Sequence, residues 1–356
     1  LITTGKSVKK FEKQVSRFVN AKYAAACSSG TSAIHLALIA INIKKNDIII
    51  MPAINFIASY SMSYFMGAKI YLADVDSISG QITPKTLVDC IKKYKLKNIK
   101  AVITMYMGGY PENVVEFYKI KKKYNFLLIE DACHAFGSKY KYLNKFYYIG
   151  SCKHSDISTF SLHPVKTFTT GEGGLVTTNN SKYHNRILNF RSHGIVRNKN
   201  FHWKYDIKNY GFNYRLSDLN CALGISQLKK VNMFINDRSR IYNIYKKELN
   251  KFKKYINLVS VKNTVKPSYH LILININFKN LNYSKDDLIN YLKKKNFLSQ
   301  YHYIPIYIFS AYKKKNQKFL GSNKYYETTL SLPIYYGLKE SIIKKVILLI
   351  TKYLKL

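Results

Sequence analysis

The most informative part of this chain is the stretch Phe126-Leu127-Leu128-Ile129-Glu130-Asp131-Ala132-Cys133-His134-Ala135, in which an acidic pair directly follows a short apolar run. An apolar run that ends at a carboxylate is typical of a buried strand. A second stretch, Phe160-Ser161-Leu162-His163-Pro164-Val165-Lys166, puts one lysine in a polar loop ahead of Thr169-Thr170-Gly171-Glu172-Gly173-Gly174. Because ligands in α/β sheets bind beyond the carboxyl ends of the strands, the strand end at Asp131 predicts a site.

A strand-end carboxylate and a downstream lysine are what pyridoxal phosphate chemistry needs. The acid keeps the pyridine nitrogen protonated, and the lysine amine bonds to the cofactor aldehyde and later carries protons. Taken alone, Asp131 is better explained as a helix cap, and Lys166 is one of very many lysines. Their order and local context together favour an enzyme of this class.

Further apolar runs alternate with amphipathic stretches along the first two-thirds of the chain. They predict strands at 48–51, 69–73, 101–104 and 126–129, with helices between them. Near-continuous apolar strands separated by helices are typical of a mostly parallel sheet covered on both faces. We therefore expect a large α/β domain over residues 1–235.

The remaining residues, 236–356, predict a smaller α+β domain, and the length of the chain suits two domains. A helical pattern from Leu216 to about Tyr245 predicts one long helix that links them. Beyond it the sequence predicts a strand at 270–274 and helices at 285–294 and 342–354.

Three other features are candidates for a site. The turn Ser28-Ser29-Gly30-Thr31-Ser32 begins a predicted helix whose free N–H groups and dipole would attract a phosphate, although an ordinary capped helix is the more common case. Phe56 follows a strand and could stack on a planar ring or belong to the core. His134 could reach a cofactor's ring oxygen or simply pack.

The chain carries a formal net charge of +39. Such a charge usually suggests nucleic acid or an anionic membrane. Here the excess is lysine spread among many Asn, Ile and Tyr, which indicates a compositional bias, and we interpret the runs at 121–123, 293–295 and 313–315 as solvated faces. We expect no nucleic-acid partner, although a positive field would attract an anionic substrate.

No stretch of about 18 unbroken apolar residues predicts a membrane span. Five scattered cysteines without a C-x-x-C pair predict reduced thiols, and no metal-ligand cluster is seen. With no signal peptide visible, we expect a cytoplasmic enzyme. Because the chain begins with Leu1 and not methionine, we expect its native N-terminus to lie further upstream.

Taken together, the motifs resemble the DegT/DnrJ/EryC1/StrS nucleotide-sugar aminotransferases. The resemblance covers essentially the whole chain, and its motifs occur in the expected order at 28–32, 130–135, 160–166, 171–174 and 211–216. It implies a fold-type I, pyridoxal-phosphate-dependent transferase that is similar to aspartate aminotransferase. It also implies a homodimer with shared active sites.

The same resemblance assigns residues to the cofactor. Lys166 would bond to it, Asp131 would pair with the ring nitrogen, and His134 would sit near the ring. Phe56 occupies the ring-stacking position. The residues that would hold the phosphate are Gly30, Thr31, Ser32, Ser161 and, from the neighbouring subunit, Asn213.

The resemblance also assigns residues to the sugar nucleotide. They are Ile2, Thr3, Gly30, Ser161, Asn213, Gln300, Tyr301, His302 and Tyr303. Arg215 is our own candidate for an anionic substrate group, since arginine suits carboxylate or phosphate. A structural ion pair is an equally weighted explanation of Arg215.

Within the family, the stretches 160–170, 222–230, 300–307 and 330–333 are most similar to transaminases of pseudaminic-acid-type biosynthesis. They imply transfer from L-glutamate to C4 of a UDP-linked 4-keto-6-deoxy-N-acetylhexosamine. The nearest alternative is a family aminotransferase that acts at C3 or C4 of a dTDP- or GDP-linked ketosugar. A sugar dehydratase of this fold would carry histidine in place of Lys166. A basic nucleic-acid-binding protein, with salt-sensitive binding and no cofactor, is the remote alternative.

Overall fold

The strands predicted from the apolar runs lie side by side in one sheet. A computed structural model describes residues 2–198, 200–201, 203–312 and 317–356; the predicted solvated run at 313–315 lies outside these residues. In chain order the elements are α1 (Lys6–Val19), β1 (Tyr23–Cys27), α2 (Gly30–Ala40), β2 (Ile48–Pro52), α3 (Ala58–Phe65), β3 (Lys69–Ala73), α4 (Pro84–Lys93), β4 (Ile99–Met105), α5 (Val114–Tyr124), β5 (Leu127–Asp131), β6 (Lys139–Tyr142), β7 (Lys145–Tyr148), β8 (Ile157–Ser161), β9 (Gly174–Thr178), α6 (Ser181–Arg191), β10 (Ile195–Arg197), β11 (Tyr205–Ile207), α7 (Asp218–Leu228), α8 (Val231–Leu249), β12 (Ile256–Leu258), β13 (Val265–Lys266), β14 (Ile272–Ile276), α9 (Phe278–Leu281), α10 (Lys285–Lys294), α11 (Leu320–Thr328), β15 (Thr329–Leu332) and α12 (Glu340–Tyr353).

The central sheet has seven strands in the order β1-β9-β8-β5-β4-β2-β3. Strand β9 runs antiparallel to β1 and β8, and the other neighbouring pairs are parallel. Ile103 and Ile129 pack with α2 on one face, whereas Val102 and Leu128 pack with α4 and α5 on the other. Because both faces are covered, the central strands β2, β4 and β5 are mostly apolar. The predicted α/β fold with a mostly parallel sheet is confirmed.

The register of the sheet brings the strand ends together at one edge. Met105, the last residue of β4, pairs with Asp131 at the end of β5, and Asp131 pairs with Thr159 of β8. Asp131 therefore lies at the carboxyl edge of the sheet, in its middle. This edge is the expected position of a ligand site.

The C-terminal part forms a second layer structure around the sheet β12-β14-β15. Helices α8, α10 and α12 contribute Ile241, Leu288 and Ile350 to its core, which also contains Ile274 of β14. These elements correspond to the predicted strand and helices of a small α+β domain.

The prediction of one long helix from Leu216 to about Tyr245 is wrong. The segment forms two helices, α7 and α8, which are separated at Lys229 and Lys230. The predicted domain boundary between residues 235 and 236 falls inside α8. Val231 packs in a core of the large domain and Ile241 in the core of the small one, and the boundary itself stays a prediction.

Within the part of the chain that the structure describes, every helix is too short or too polar to pass through a bilayer. The five cysteines are free thiols, and Cys27, Cys90, Cys152 and Cys221 are buried. Burial raises the pKa of Cys27 to about 12, so this thiol stays protonated at neutral pH.

Candidate active site

A cavity of about 340 Å³ opens at the carboxyl edge of the central sheet. It is lined by the N-terminus of α2, the segment after β2, the ends of β4 and β5, and the loop after β8. The structure brings together many of the predicted site residues here, namely Gly30, Thr31, Phe56, Asp131, His134, Ser161, Lys166, His302 and Tyr303.

Asp131 is a buried carboxylate that two donors hold in place. Its Oδ2 accepts a hydrogen bond of 2.9 Å from the hydroxyl of Ser59, and its Oδ1 accepts one of 3.3 Å from the amide of Cys133. Only 3% of the residue is exposed. Because a buried carboxylate is costly without a partner of opposite charge, Asp131 suits a cationic group of a ligand.

Lys166 also lines the cavity, in the loop that follows β8. Its amide donates to the carbonyl of His163 at 2.9 Å, which closes a turn and holds the side chain at the cavity. Burial lowers the pKa of the Lys166 amine from its ordinary value, while Cys133 and Asp131 oppose this shift. A lowered pKa leaves more of the amine neutral at physiological pH, and the neutral amine is the nucleophile.

The N-terminus of α2 faces the cavity as an anion-binding element. Ser29 and Ser32 form a capping box, in which the Ser29 amide donates to Ser32 Oγ at 2.8 Å and the Ser32 amide to Ser29 Oγ at 3.1 Å. First-turn amides have no partner within a helix. The box satisfies two of them and leaves the amides of Gly30 and Thr31 without an acceptor among the described residues. These two amides are therefore available to a phosphate.

Gly30 is also needed for space. A Cβ atom at this position would lie 2.9 Å from Cβ of Ser161, which is closer than side chains pack. The hydroxyl of Ser161 and the first turn of α2 can therefore approach the same point in the cavity.

A cluster of aromatic and histidine side chains also lines the cavity. The hydroxyl of Tyr303 lies 2.8 Å from Nε2 of His134, and the Tyr303 ring lies 5.6 Å from that of Phe56. The ring of His270 lies 4.3 Å from that of His134. Burial, and then the positive charge of Lys166, lower the pKa of His134 well below its ordinary value, so the ring is neutral at pH 7.

A second cavity of about 400 Å³ adjoins the first. The two share Asn55, Phe56 and Tyr303, and the second also contains Gln300 and Tyr301. The segment that the sequence predicts to contact a sugar nucleotide therefore contributes to both cavities. A ligand that is longer than one cavity could extend from Lys166 into the second.

Five predicted site residues do not line either cavity: Ile2, Thr3, Ser32, Asn213 and Arg215. The hydroxyl of Ser32 is used in the capping box. The carbonyl of Ile2 accepts a hydrogen bond of 3.0 Å from the amide of Asp218, at the start of α7. Asn213 is exposed and Arg215 is half-buried, with no carboxylate partner for Arg215 among the described residues. Their roles stay predictions.

The structure adds residues that the sequence did not single out. Ser59 lies in the first turn of α3, shortly after Phe56, and holds Asp131; its nearness in sequence to Phe56 could have drawn attention to it. His163 and Glu172 line the cavity and belong to the motifs quoted above. His270 also lines it, but it comes from the C-terminal part of the chain and carries no local signal.

The residues present fit pyridoxal phosphate. The cavity combines an amine of lowered pKa, a buried carboxylate, an exposed aromatic ring and an anion-binding helix N-terminus, which are the groups that the aldehyde, the ring nitrogen, the ring face and the phosphate of this cofactor require. Among the described residues no cluster of His, Cys, Asp or Glu could hold a metal ion.

Comparisons with known proteins agree with this chemistry. The model of the DegT/DnrJ/EryC1/StrS aminotransferase family matches residues 1–351. A UDP-4-amino-4,6-dideoxy-N-acetyl-beta-L-altrosamine transaminase of Campylobacter jejuni (strain 81-176) is 36% identical over 337 residues, which are 94% of this chain and 86% of that protein. A GDP-perosamine synthase of Escherichia coli O157:H7 is 32% identical over 88% of this chain and 81% of that protein.

A solved structure is similar over nearly the whole chain. Helicobacter pylori PseC, an aminotransferase involved in the biosynthesis of pseudoaminic acid, superposes with a TM-score of 0.89 at 28% identity and covers 99% of this chain and 92% of that one. Since the family model spans almost every residue and the cavity holds the matching amine, acid and anion cradle, the chain belongs to the DegT/DnrJ/EryC1/StrS aminotransferase family and is a pyridoxal-phosphate-dependent nucleotide-sugar transaminase.

Proposed function

We propose that this enzyme transfers the amino group of L-glutamate to C4 of a UDP-linked 4-keto-6-deoxy-N-acetylhexosamine, in pseudaminic-acid-type biosynthesis. The observation that carries the proposal is the 36% identity with the Campylobacter jejuni transaminase, whose name specifies a UDP-linked 4-amino-4,6-dideoxy sugar. The second cavity supports it, because it adjoins the first and offers further space for the nucleotide part of such a substrate.

Each residue around the cavity would have a separate role in the reaction. Lys166 would bind the cofactor and, once released, its amine would move protons to and from the reacting carbon. Asp131 would hold the ring nitrogen protonated, and the amides of Gly30 and Thr31 would bind the phosphate. When bound, the cofactor supplies an electron-withdrawing ring that stabilises negative charge at that carbon.

We propose that the enzyme is a homodimer with active sites at the interface. Exposed apolar side chains are concentrated on the hairpin β10–β11 and the segment after it, including Val196, Tyr205, Ile207 and Tyr210. Tyr205 and Ile207 share one face of the hairpin, and exposed apolar side chains that cluster in this way often mark an interaction site. It leads directly to Asn213, the residue that is predicted to complete the neighbouring subunit's site.

The dimer can be tested by light scattering on the wild type and on the double variant Tyr205→Lys/Ile207→Lys. We expect the wild type to have the mass of two chains and the variant to shift towards the monomer. A wild type with the mass of one 41.4 kDa chain would contradict the proposal. The cytoplasmic location expected from the sequence also stays a prediction.

The activity can be tested by absorbance in two steps. We expect the cofactor-loaded enzyme to show a visible band that fades with L-glutamate and returns when a UDP-linked 4-keto-6-deoxy-N-acetylhexosamine is added. Lys166→Ala should lose the glutamate response, and Lys182→Ala, which removes an exposed lysine of α6, should keep it.

The runner-up substrate is a GDP-linked 4-keto-6-deoxyhexose, which the 32% identity with GDP-perosamine synthase favours. Return of the band with the GDP-linked sugar and not with the UDP-linked one would replace our proposal by this alternative. No response to L-glutamate would contradict the choice of amino donor.

A further inference from the structure

We propose that His134 acts through Tyr303 and holds the Tyr303 hydroxyl as an oriented hydrogen-bond donor to an oxygen of the acceptor sugar. This inference rests on the proposed function for the identity of the ligand. The inference itself is based on the hydrogen-bond donors and acceptors around His134, and their arrangement can be measured independently of the substrate.

The orientation of the His134 ring follows from its two contacts. The amide of Gly108, which can only donate, lies 3.3 Å from Nδ1, so Nδ1 must be the acceptor. The ring is neutral, and a neutral imidazole carries its proton on the other nitrogen. His134 Nε2 therefore carries the hydrogen and donates it to the Tyr303 hydroxyl oxygen at 2.8 Å.

This direction leaves the hydrogen of the Tyr303 hydroxyl without an acceptor. No other hydrogen bond of Tyr303 Oη occurs within the described residues, although the side chain lines both cavities. Burial, and then the charges of Asp131 and Cys133, raise the pKa of Tyr303, so the hydroxyl keeps its proton. Because the side chain lines both cavities, this hydroxyl hydrogen is available to an acceptor there, either water or an oxygen of a bound ligand.

The position of Tyr303 indicates which ligand atom this is. The residue is shared by the cavity that holds Lys166 and the cavity that holds Gln300 and Tyr301. An acceptor sugar that spans both cavities would pass this point. When the amine that is transferred bonds to the keto carbon, the π pair of the C=O bond moves onto the keto oxygen, which gains negative charge. A neutral O–H donor fixed by His134 stabilises that charge without reorganisation. Tyr303 would thus touch the substrate, and His134 would be a positioning residue.

The first experiment compares Tyr303→Phe with the wild type in separate half-reactions. We expect a reaction with the UDP-linked ketosugar that is about 100- to 1,000-fold slower, the range for a lost oxyanion donor, and a much smaller change with L-glutamate. Tyr242→Phe is the matched control, because it removes a buried hydroxyl that donates to the Val259 carbonyl in the small domain. Equal slowing of both half-reactions, or of neither, would overturn the proposal.

The second experiment tests the role of His134. His134→Leu should slow the sugar half-reaction in the wild type but add little in the Tyr303→Phe background, because both changes remove the same interaction. His134→Gln, whose carboxamide can donate to Tyr303, should recover part of the rate. Additive effects of His134→Leu and Tyr303→Phe would show that His134 acts independently and would refute this role.

A readout that does not depend on turnover is the ¹⁵N NMR spectrum of enzyme labelled at histidine, with His134 assigned from the His134→Gln variant. We expect a neutral ring protonated at Nε2 near pH 7. A ring protonated at Nδ1, or a charged ring, would refute the inferred direction. If the wild type accepted no UDP-linked ketosugar, the proposed function would fail, while this spectrum would still decide the direction of the hydrogen bond.

Discussion

Gly30 is a residue with little room around it in the anion-binding first turn of α2. A methyl group there would meet Cβ of Ser161 at 2.9 Å, so Gly30→Ala must push the first turn of α2 away from Ser161. Overpacking of this kind costs about 1–3 kcal/mol, and we expect cofactor affinity to fall by about 10- to 100-fold. Titration of the enzyme with pyridoxal phosphate, followed by its visible absorbance, measures the effect.

The control for this prediction is the double variant Gly30→Ala/Ser161→Gly, with Ser161→Gly alone as the reference. Removing Cβ of Ser161 removes the clash, so the alanine should cost much less in this background. If Gly30→Ala weakened binding equally in both backgrounds, steric contact with Ser161 would not be its cause.

Single residues were predictable where a short local motif sets them apart from other residues of their type. Asp131 and Lys166 follow from an acid at the end of an apolar run and a lysine in a short loop, and both line the cavity. Ser32 and Thr31 are neighbours in one hydroxyl-rich turn, and the sequence could not tell that the capping box would use Ser32. His270 reaches the cavity only through tertiary structure, so no local pattern could have indicated it.

At the scale of helices, the packing of α7 on α1 depends on Gly224. A Cβ atom there would lie 2.7 Å from Cγ2 of Thr170 and 2.8 Å from the ring of Phe11, and both neighbours are fully buried. Alanine gains about 1 kcal/mol in helix propensity, but overpacking costs about 1–3 kcal/mol. We expect Gly224→Ala to lower the free energy of unfolding by about 1 kcal/mol, as measured by urea titration.

Ser226→Ala is a suitable control, because Ser226 is an exposed position of the same helix. It should leave stability almost unchanged or raise it slightly through propensity. A stabilising effect of Gly224→Ala would mean that α1 can move away at no cost.

Elements were predictable where periodicity and length agree. The apolar runs at 48–51 and 101–104 lie in β2 and β4, since buried parallel strands have no polar face to interrupt them. The break between α7 and α8 was not predicted because it falls at two lysines, Lys229 and Lys230, where no glycine or proline signals the end of a helix. Both flanking segments also have helical patterns.

For the whole molecule, buried neutral histidines predict acid sensitivity. Burial, and then the charge of Lys166, lower the pKa of His302 from 6.5 to about 4, and burial also lowers those of His134 and His270. At a pH between a ring's lowered pKa in the folded protein and its ordinary pKa in the unfolded chain, the unfolded chain binds more protons than the folded one. The free energy of unfolding therefore rises with pH and falls as the pH is lowered. His302 alone would contribute a loss of at most about 2 kcal/mol at pH 5.

Urea unfolding at pH 7 and pH 5 measures this effect. We expect a lower midpoint at pH 5, and a smaller difference between the two pH values in His302→Asn than in the wild type. Equal stability at both pH values would show that these rings are hydrated or protonated in the folded protein.

Helix α8 has a consequence for how the protein responds to heat. Its first turns, around Val231, are anchored beside the central sheet, and its later turns, around Ile241 and Tyr245, are anchored in the C-terminal layer. Unfolding of either core exposes apolar side chains of α8 and removes packing contacts from the helix, which destabilises the other core. We therefore expect calorimetry to record a single endotherm for the entire chain. Two separated endotherms would mean that one half of α8 can unfold while the other half stays folded.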